Sequence, residues 1–293
     1  MQIDEILVQL ENNTRKFPRL ALERAIEEKE ILTPILIETL EKQSNNLEEL
    51  LEKEDYILHI HALYLLAQFR EVSAYPTIIK FFSVTDDVAL DVTGDIVTED
   101  LGRILASVSG GNIEPIKQLI ENSKANEYVR GAALEALLVL IAQEVIPREE
   151  VIQYYAKLFS TLDKEDYYIQ TTLVINSAQL CAVELQEQID RAFEQESVDL
   201  FFIDREDVST YLVVEKEEAL NRLRNEPKYS FIKDVISEME NWSCFQLQER
   251  ELSSDIFIPE GFSFGASKKS KNKAKDKKKM QKQSRRKNRS KSK

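Results

Sequence analysis

Apolar residues return along this chain at helical rather than strand spacing, and the pattern repeats. Tyr56, Ile60, Leu63 and Ala67, widened by Leu66, form one face of a predicted helix that ends before Pro76. A shift of 39 residues lays Leu101, Leu105 and Ala106 on Ala62, Leu66 and Ala67, and Pro115 on Pro76. A shift of 71 residues lays Ala133, Leu134, Leu137 and Pro147 on Ala62, Leu63, Leu66 and Pro76. Helix, gap and proline therefore share one register.

The prolines supply the punctuation. Pro34, Pro76, Pro115 and Pro147 are separated by 42, 39 and 32 residues. Proline suits the first turn of a helix, where its missing N–H has no intrahelical partner to lose. Each is thus expected to open the second helix of a pair, with Thr33 capping the one at Pro34. A further pair is predicted in YYIQTTLVINSAQLCAVELQEQIDRAF from Tyr167.

Five helix pairs at periods near 40 residues give an all-α, HEAT-like α-solenoid over residues 1–255. An irregular bundle with recurring prolines is the competing arrangement. Beyond Ser197 the pattern predicts a bend, another helix and a last helix in FIKDVISEMENWSCFQLQE, read as a polar cap on the final repeat.

Composition agrees with helices, since seven glycines and seven prolines among 293 residues are few for a turn-rich sheet protein. The formal charge of -13 divides unevenly. Residues 268–293 hold 15 Lys or Arg and one acid, a charge of +14, which leaves -27 on residues 1–267. With almost no apolar residues, that segment reads as a disordered polybasic tail joined by a linker at 256–267.

Lys268, Lys269, Lys271, Lys273, Lys275, Lys277, Lys278, Lys279, Lys282, Arg285, Arg286, Lys287, Arg289, Lys291 and Lys293 are its candidate phosphate-binding residues. They point to nucleic acid, ribosomal RNA or an anionic membrane surface, or back to the acidic body. Aromatic residues are absent after Phe264, so bases have nothing to stack on.

Two cysteines, an acidic N-terminus and the shortness of the longest apolar run, Ala136 to Ala142, predict a cytoplasmic protein without a transmembrane segment.

Four stretches resemble a bacterial family of HEAT-like proteins described only as a domain of unknown function. They are GDIVTEDLGRILASV at 94–108, EYVRGAALEALL at 127–138, DLFFIDREDV at 199–208 and the helix pair at 55–82. The resemblance covers about residues 1–250 and implies an α-solenoid with no known activity. Members of that family often end in a cysteine-rich zinc motif called SEC-C. This chain departs from that pattern, because residues 245–293 contain neither cysteine nor histidine.

Candidate chemistry is sparse. Asp87, Asp91, Asp95 and Glu99 recur every four residues but lack the ligand order of a calcium loop. Thr98, Glu99 and Asp100 suit a helix start. His59 and His61, two residues apart, cannot form the i, i+4 pair of a helical zinc site, and no metal or cofactor is expected. Cys181 reads as a small core residue.

Arg103 and Arg130 stand near the starts of repeat helices, where each either pairs with an acid or projects into a groove as a candidate partner-binding residue. No catalytic motif is found. The expected function is a non-enzymatic protein-interaction scaffold whose tail adds electrostatic contact. The alternatives are a nucleic-acid or ribosome-associated protein acting through the tail, and a HEAT-like lyase or cofactor chaperone.

Overall fold

A computed structural model of the chain describes residues 1–53 and 55–245. The predicted linker and polybasic tail lie outside the described residues. Helices run in the order α1 (Ile3–Glu11), α2 (Arg19–Glu27), α3 (Lys29–Ser44), α4 (Glu48–Leu51), α5 (Leu58–Gln68), α6 (Tyr75–Phe82), α7 (Val88–Thr93) and α8 (Ile96–Glu99). They continue with α9 (Leu101–Val108), α10 (Glu114–Glu121), α11 (Glu127–Ala142), α12 (Arg148–Thr161), α13 (Tyr167–Gln179), α14 (Gln186–Glu194), α15 (Arg205–Leu212), α16 (Lys216–Asn225) and α17 (Val235–Met239). Among the described residues, extended backbone pairs only in isolated bridges such as Asn12 with Tyr56. The architecture is all-helical.

Helix α11 lies at its centre. Thirteen of its sixteen residues are buried, and a helix apolar on every side needs neighbours on every side. It packs against α9, α10 and α13, while α9 packs on α5, and α5 on α3 and α1. Helices α9 and α11 approach closely at Gly102 of α9, where a Cβ would stand 3.0 Å from the Ala132 carbonyl oxygen of α11. A side chain there meets backbone, so the two helices touch because Gly102 has none.

Three of the four prolines stand at helix starts. Pro76 and Pro115 sit in the first turns of α6 and α10, and Pro147 directly precedes α12. Pro34 departs from expectation, because it lies inside α3, whose flanking N-terminal residue is Glu28. Thr33 is consequently helical and does not cap, and its hydroxyl is buried without a hydrogen-bond partner. Five residues of α3 precede Pro34, enough that its missing N–H interrupts the helix's own ladder.

The ends share a device that the pattern did not reveal. After α5, α11 and α13 the chain turns through a left-handed residue, Arg70 at φ 57°, Glu144 at 58° and Cys181 at 49°. In each, the next N–H reaches back to the helix: Glu71 to Leu66, Val145 to Leu140, Ala182 to Ser177. This is the Schellman termination usually built on glycine. Helix α9 ends on the expected residue type, with Gly110 at φ 58° and Gly111 at 87°.

The C-terminal end differs from the predicted element order. Helices α15 and α16 stand where one helix was predicted, and in the described part of the predicted last helix the α-helical residues are the five of α17. From Pro227 to Phe245 the chain turns back across the helices that precede it.

Candidate interaction site

Residues 227–245 form a strap that meets α13, α11, α9, α5 and α2 in turn. At its start the Tyr229 hydroxyl donates to Gln179 of α13, and the Gln143 amide just past α11 donates to the Tyr229 carbonyl at 3.1 Å. Next comes α9, where Arg103 Nε donates to the Ser230 carbonyl at 3.0 Å and the Ser107 hydroxyl oxygen accepts from Ile232 N–H at 3.1 Å. Gln68 of α5 then accepts from Val235 N–H at 2.7 Å. Finally Arg19 of α2 pairs with Glu240, and Phe17 meets Phe245 edge-on at 5.4 Å.

The strap's side chains turn into the same face. Tyr229, Ile232, Val235 and Met239 are all at most 2% exposed. Trp242 packs edge-on against Tyr64 of α5 at 5.4 Å. Burial of this kind contributes roughly 1.5–3 kcal/mol for each large apolar side chain.

Arg103 is the polar centre of the contact. Its guanidinium bridges Asp100, at 2.7 Å, and both carboxylate oxygens of Glu238 on α17. Asp100 also accepts from the Tyr64 hydroxyl, and burial with that carboxylate pushes the phenol well above its ordinary range. A planar fork with five N–H donors suits this set, since it satisfies two carboxylates and a carbonyl at once.

Arg103 and Arg130 both pair with acids. Arg130 Nε donates to the Ile120 carbonyl at 2.8 Å and its terminal nitrogen pairs with Asp166 at 2.6 Å, tying α10 to the start of α13. Arg148, which sequence reasoning passed over, does the same between α12 and α13. It donates to the Leu180 and Cys181 carbonyls and pairs with Glu184 at 2.8 Å. Cations at a helix C-terminus are favourable, and that guanidinium holds the Glu184 carboxyl down to about 2. Its signal was available, since an arginine directly follows Pro147.

His59, His61, Asp87 and Cys181 have structural partners. His59 donates to the Val92 carbonyl and His61 to that of Leu10, and burial depresses both, His61 to about 4. Asp87 accepts from the Asn126 amide at 2.6 Å, and Thr98 lies inside α8 rather than capping α9. Among the described residues no group of three or more His, Cys, Asp or Glu could hold a metal ion. Cys181 follows α13, buried, with its thiol donating to the Val214 carbonyl at 3.0 Å and pushed up by desolvation.

A second surface faces outward. Leu200, Phe201 and Phe202, in the turn before α15, are 67%, 70% and 59% exposed. Asp204 caps α15 by accepting from Glu206 and Asp207 N–H, which fixes the chain just beyond the turn. Residues 199–213 carry four acids and one arginine, Arg205, which pairs with Asp190. The turn is an apolar projection in acidic surroundings.

Residues 1–246 match the family described as "Protein of unknown function (DUF1186)". The chain belongs to that family. An uncharacterised protein of Chlamydia trachomatis serovar D is 37% identical over 245 residues, which cover 83% of this chain and 96% of the relative. One from Chlamydia muridarum is 36% identical over 245 residues, covering 83% and 97%. No solved structure matches. The DUF1186 match includes the strap and the exposed turn and stops before the polybasic residues. Among the described residues no helix is long and apolar enough to cross a membrane.

Proposed function

We propose that this DUF1186 protein is a non-enzymatic interaction scaffold, a HEAT-like α-solenoid of about five helix pairs that presents the Leu200–Phe202 turn to a protein partner. The observation that carries the reading is the exposure of those three consecutive large apolar side chains. Exposed apolar clusters rimmed by polar residues are characteristic of protein-binding surfaces. The four acids around the turn favour a partner with basic residues beside an apolar anchor. The arrangement of the pairs is supported by the repeated terminations at Arg70, Gly110, Glu144 and Cys181. The polybasic tail adds a salt-sensitive contact, which raises local concentration at the same partner.

Affinity purification with the intact chain, a Phe201→Ser/Phe202→Ser variant and a chain lacking residues 268–293, each with and without nuclease, tests this. Partners are expected to survive nuclease and tail removal and to be lost with the two phenylalanines, at unchanged melting temperature. Partners lost with nuclease or with the tail, and kept by the phenylalanine variant, would instead establish the nucleic-acid reading suggested by the 15 basic residues of the tail.

A further inference from the structure

We propose that the face formed by α13, α11, α9, α5 and α2 is a binding face for an extended polypeptide segment, which residues 227–245 occupy in cis as a removable strap. A segment of another chain with the same chemistry takes the face when the strap leaves. This concerns a different surface from the Leu200–Phe202 turn and stands or falls without it.

The way the strap is held is the first argument. Gln143, Arg103, Ser107 and Gln68 are side chains of the helical face, and their bonds go to main-chain groups of Tyr229, Ser230, Ile232 and Val235. Main-chain recognition accepts any sequence that can lie extended, while alternate side-chain pockets set specificity. Two interlocked helices have no use for such hooks, because their backbones are already satisfied internally.

The second argument is that the strap has little structure of its own. A three-residue turn at Pro227–Tyr229, an irregular stretch at 230–234, the five residues of α17 and a three-residue turn at Ser243–Phe245 make only short local ladders. Its order derives from the face, so its opening exposes only its own contacts. The helices beneath retain theirs, since α5, α9, α11 and α13 pack on one another directly.

Partner chemistry follows from the occupant. Apolar side chains enter at Tyr229, Ile232, Val235 and Met239, spacings of three, three and four, and a carboxylate at Glu238 meets Arg103. A second carboxylate, Glu240, meets Arg19. The expected ligand is an acidic, apolar segment, extended at first and ending in one helical turn.

Hydrogen exchange on the intact chain gives the first test. The Ile232 and Val235 amides are expected to exchange at least tenfold faster than those of α11 between Leu134 and Ile141. Exchange of both sets together, as one unit, would overturn the proposal. The second test adds a labelled peptide of residues 226–245 to the wild-type chain and to Glu238→Lys, which sets two cations against each other at Arg103. The variant is expected to bind the peptide at least tenfold more tightly, and Ser107→Ala in that background to weaken it. A folded Glu238→Lys chain with no more affinity than wild type also refutes the idea. Should Glu238→Lys fail to fold, the exchange result on the wild-type chain decides alone.

Discussion

Helix α11 and the strap at 227–245 are both deeply buried, yet they are specified in different ways. In α11 the backbone satisfies itself and the side chains, mostly Ala, Leu, Val and Ile, have only to be apolar. In the strap, main-chain groups of Tyr229, Ser230, Ile232 and Val235 bond side chains from 86 to 167 residues away, such as Gln143 and Gln68. A helix carries its own hydrogen bonds wherever it goes. An extended segment borrows them, so its conformation is a property of the face it lies on. The contrast also separates two kinds of order: the helical array beneath packs on itself directly, while the strap takes its order from that array.

The largest expected effect comes from the residue that belongs to both. Arg103→Ala leaves Asp100 and Glu238 facing each other without a cation, with side chains only 18% and 24% exposed. Breaking a buried pair from one side typically loses about 3–5 kcal/mol, and urea unfolding should register a loss toward that range. Arg103→Lys should recover little, because an ammonium cannot span Asp100, Glu238 and the Ser230 carbonyl. Arg103→Ala/Glu238→Ala should recover part, by removing one stranded charge. A loss below about 1 kcal/mol would mean the strap is not anchored here.

The next effect isolates the array. The His61 ring is fully buried between α5 and α1, and desolvation holds it at about 4, below its ordinary 6.5. The unfolded chain then binds the extra proton between these values and the folded chain does not. Stability from this group is complete above pH 6.5 and drains away as pH falls to about 4, by about 3 kcal/mol. His61→Gln, which keeps a donor for the Leu10 carbonyl, should flatten the slope of unfolding free energy between pH 7 and 4.5 relative to wild type. Equal slopes in the two proteins would mean that water reaches the ring.

The same contrast explains what could be read in advance. Apolar periodicity and three of four prolines place α5, α6 and α9 to α14 within a few residues, because a helix is coded by its own sequence. Pro34 misled because an interior proline and an opening proline look alike without the flanking structure. The stops after α5, α11 and α13 were invisible because Arg70, Glu144 and Cys181 occupy a conformation that glycine usually signals. Arg103 was noticed, but its two courses, pairing or projecting, could not be separated while Glu238 was 135 residues distant. The strap itself read as a capping helix, since Tyr229, Ile232, Val235 and Met239 follow a spacing of three to four that a helix also uses. Only a face already built decides between the two.

The smallest expected effect discriminates most finely between strap and array. Ser107 on α9 is 1% exposed, and its hydroxyl oxygen accepts the N–H of Ile232. Ser107→Ala removes one oxygen, leaves α9 its full backbone ladder and strands that single donor. A stranded buried donor costs on the order of 1–3 kcal/mol, and about 1.4 kcal/mol is a factor of ten in an opening equilibrium. If the strap opens by itself, the Ile232 and Val235 amides should exchange about tenfold faster in Ser107→Ala while those of α11 keep their wild-type rates. Equal acceleration in both would show that α9 transmits the loss to its neighbours, and that strap and array unfold as one body. The hydroxyl is the test because it belongs to the array by sequence and to the strap by its bond.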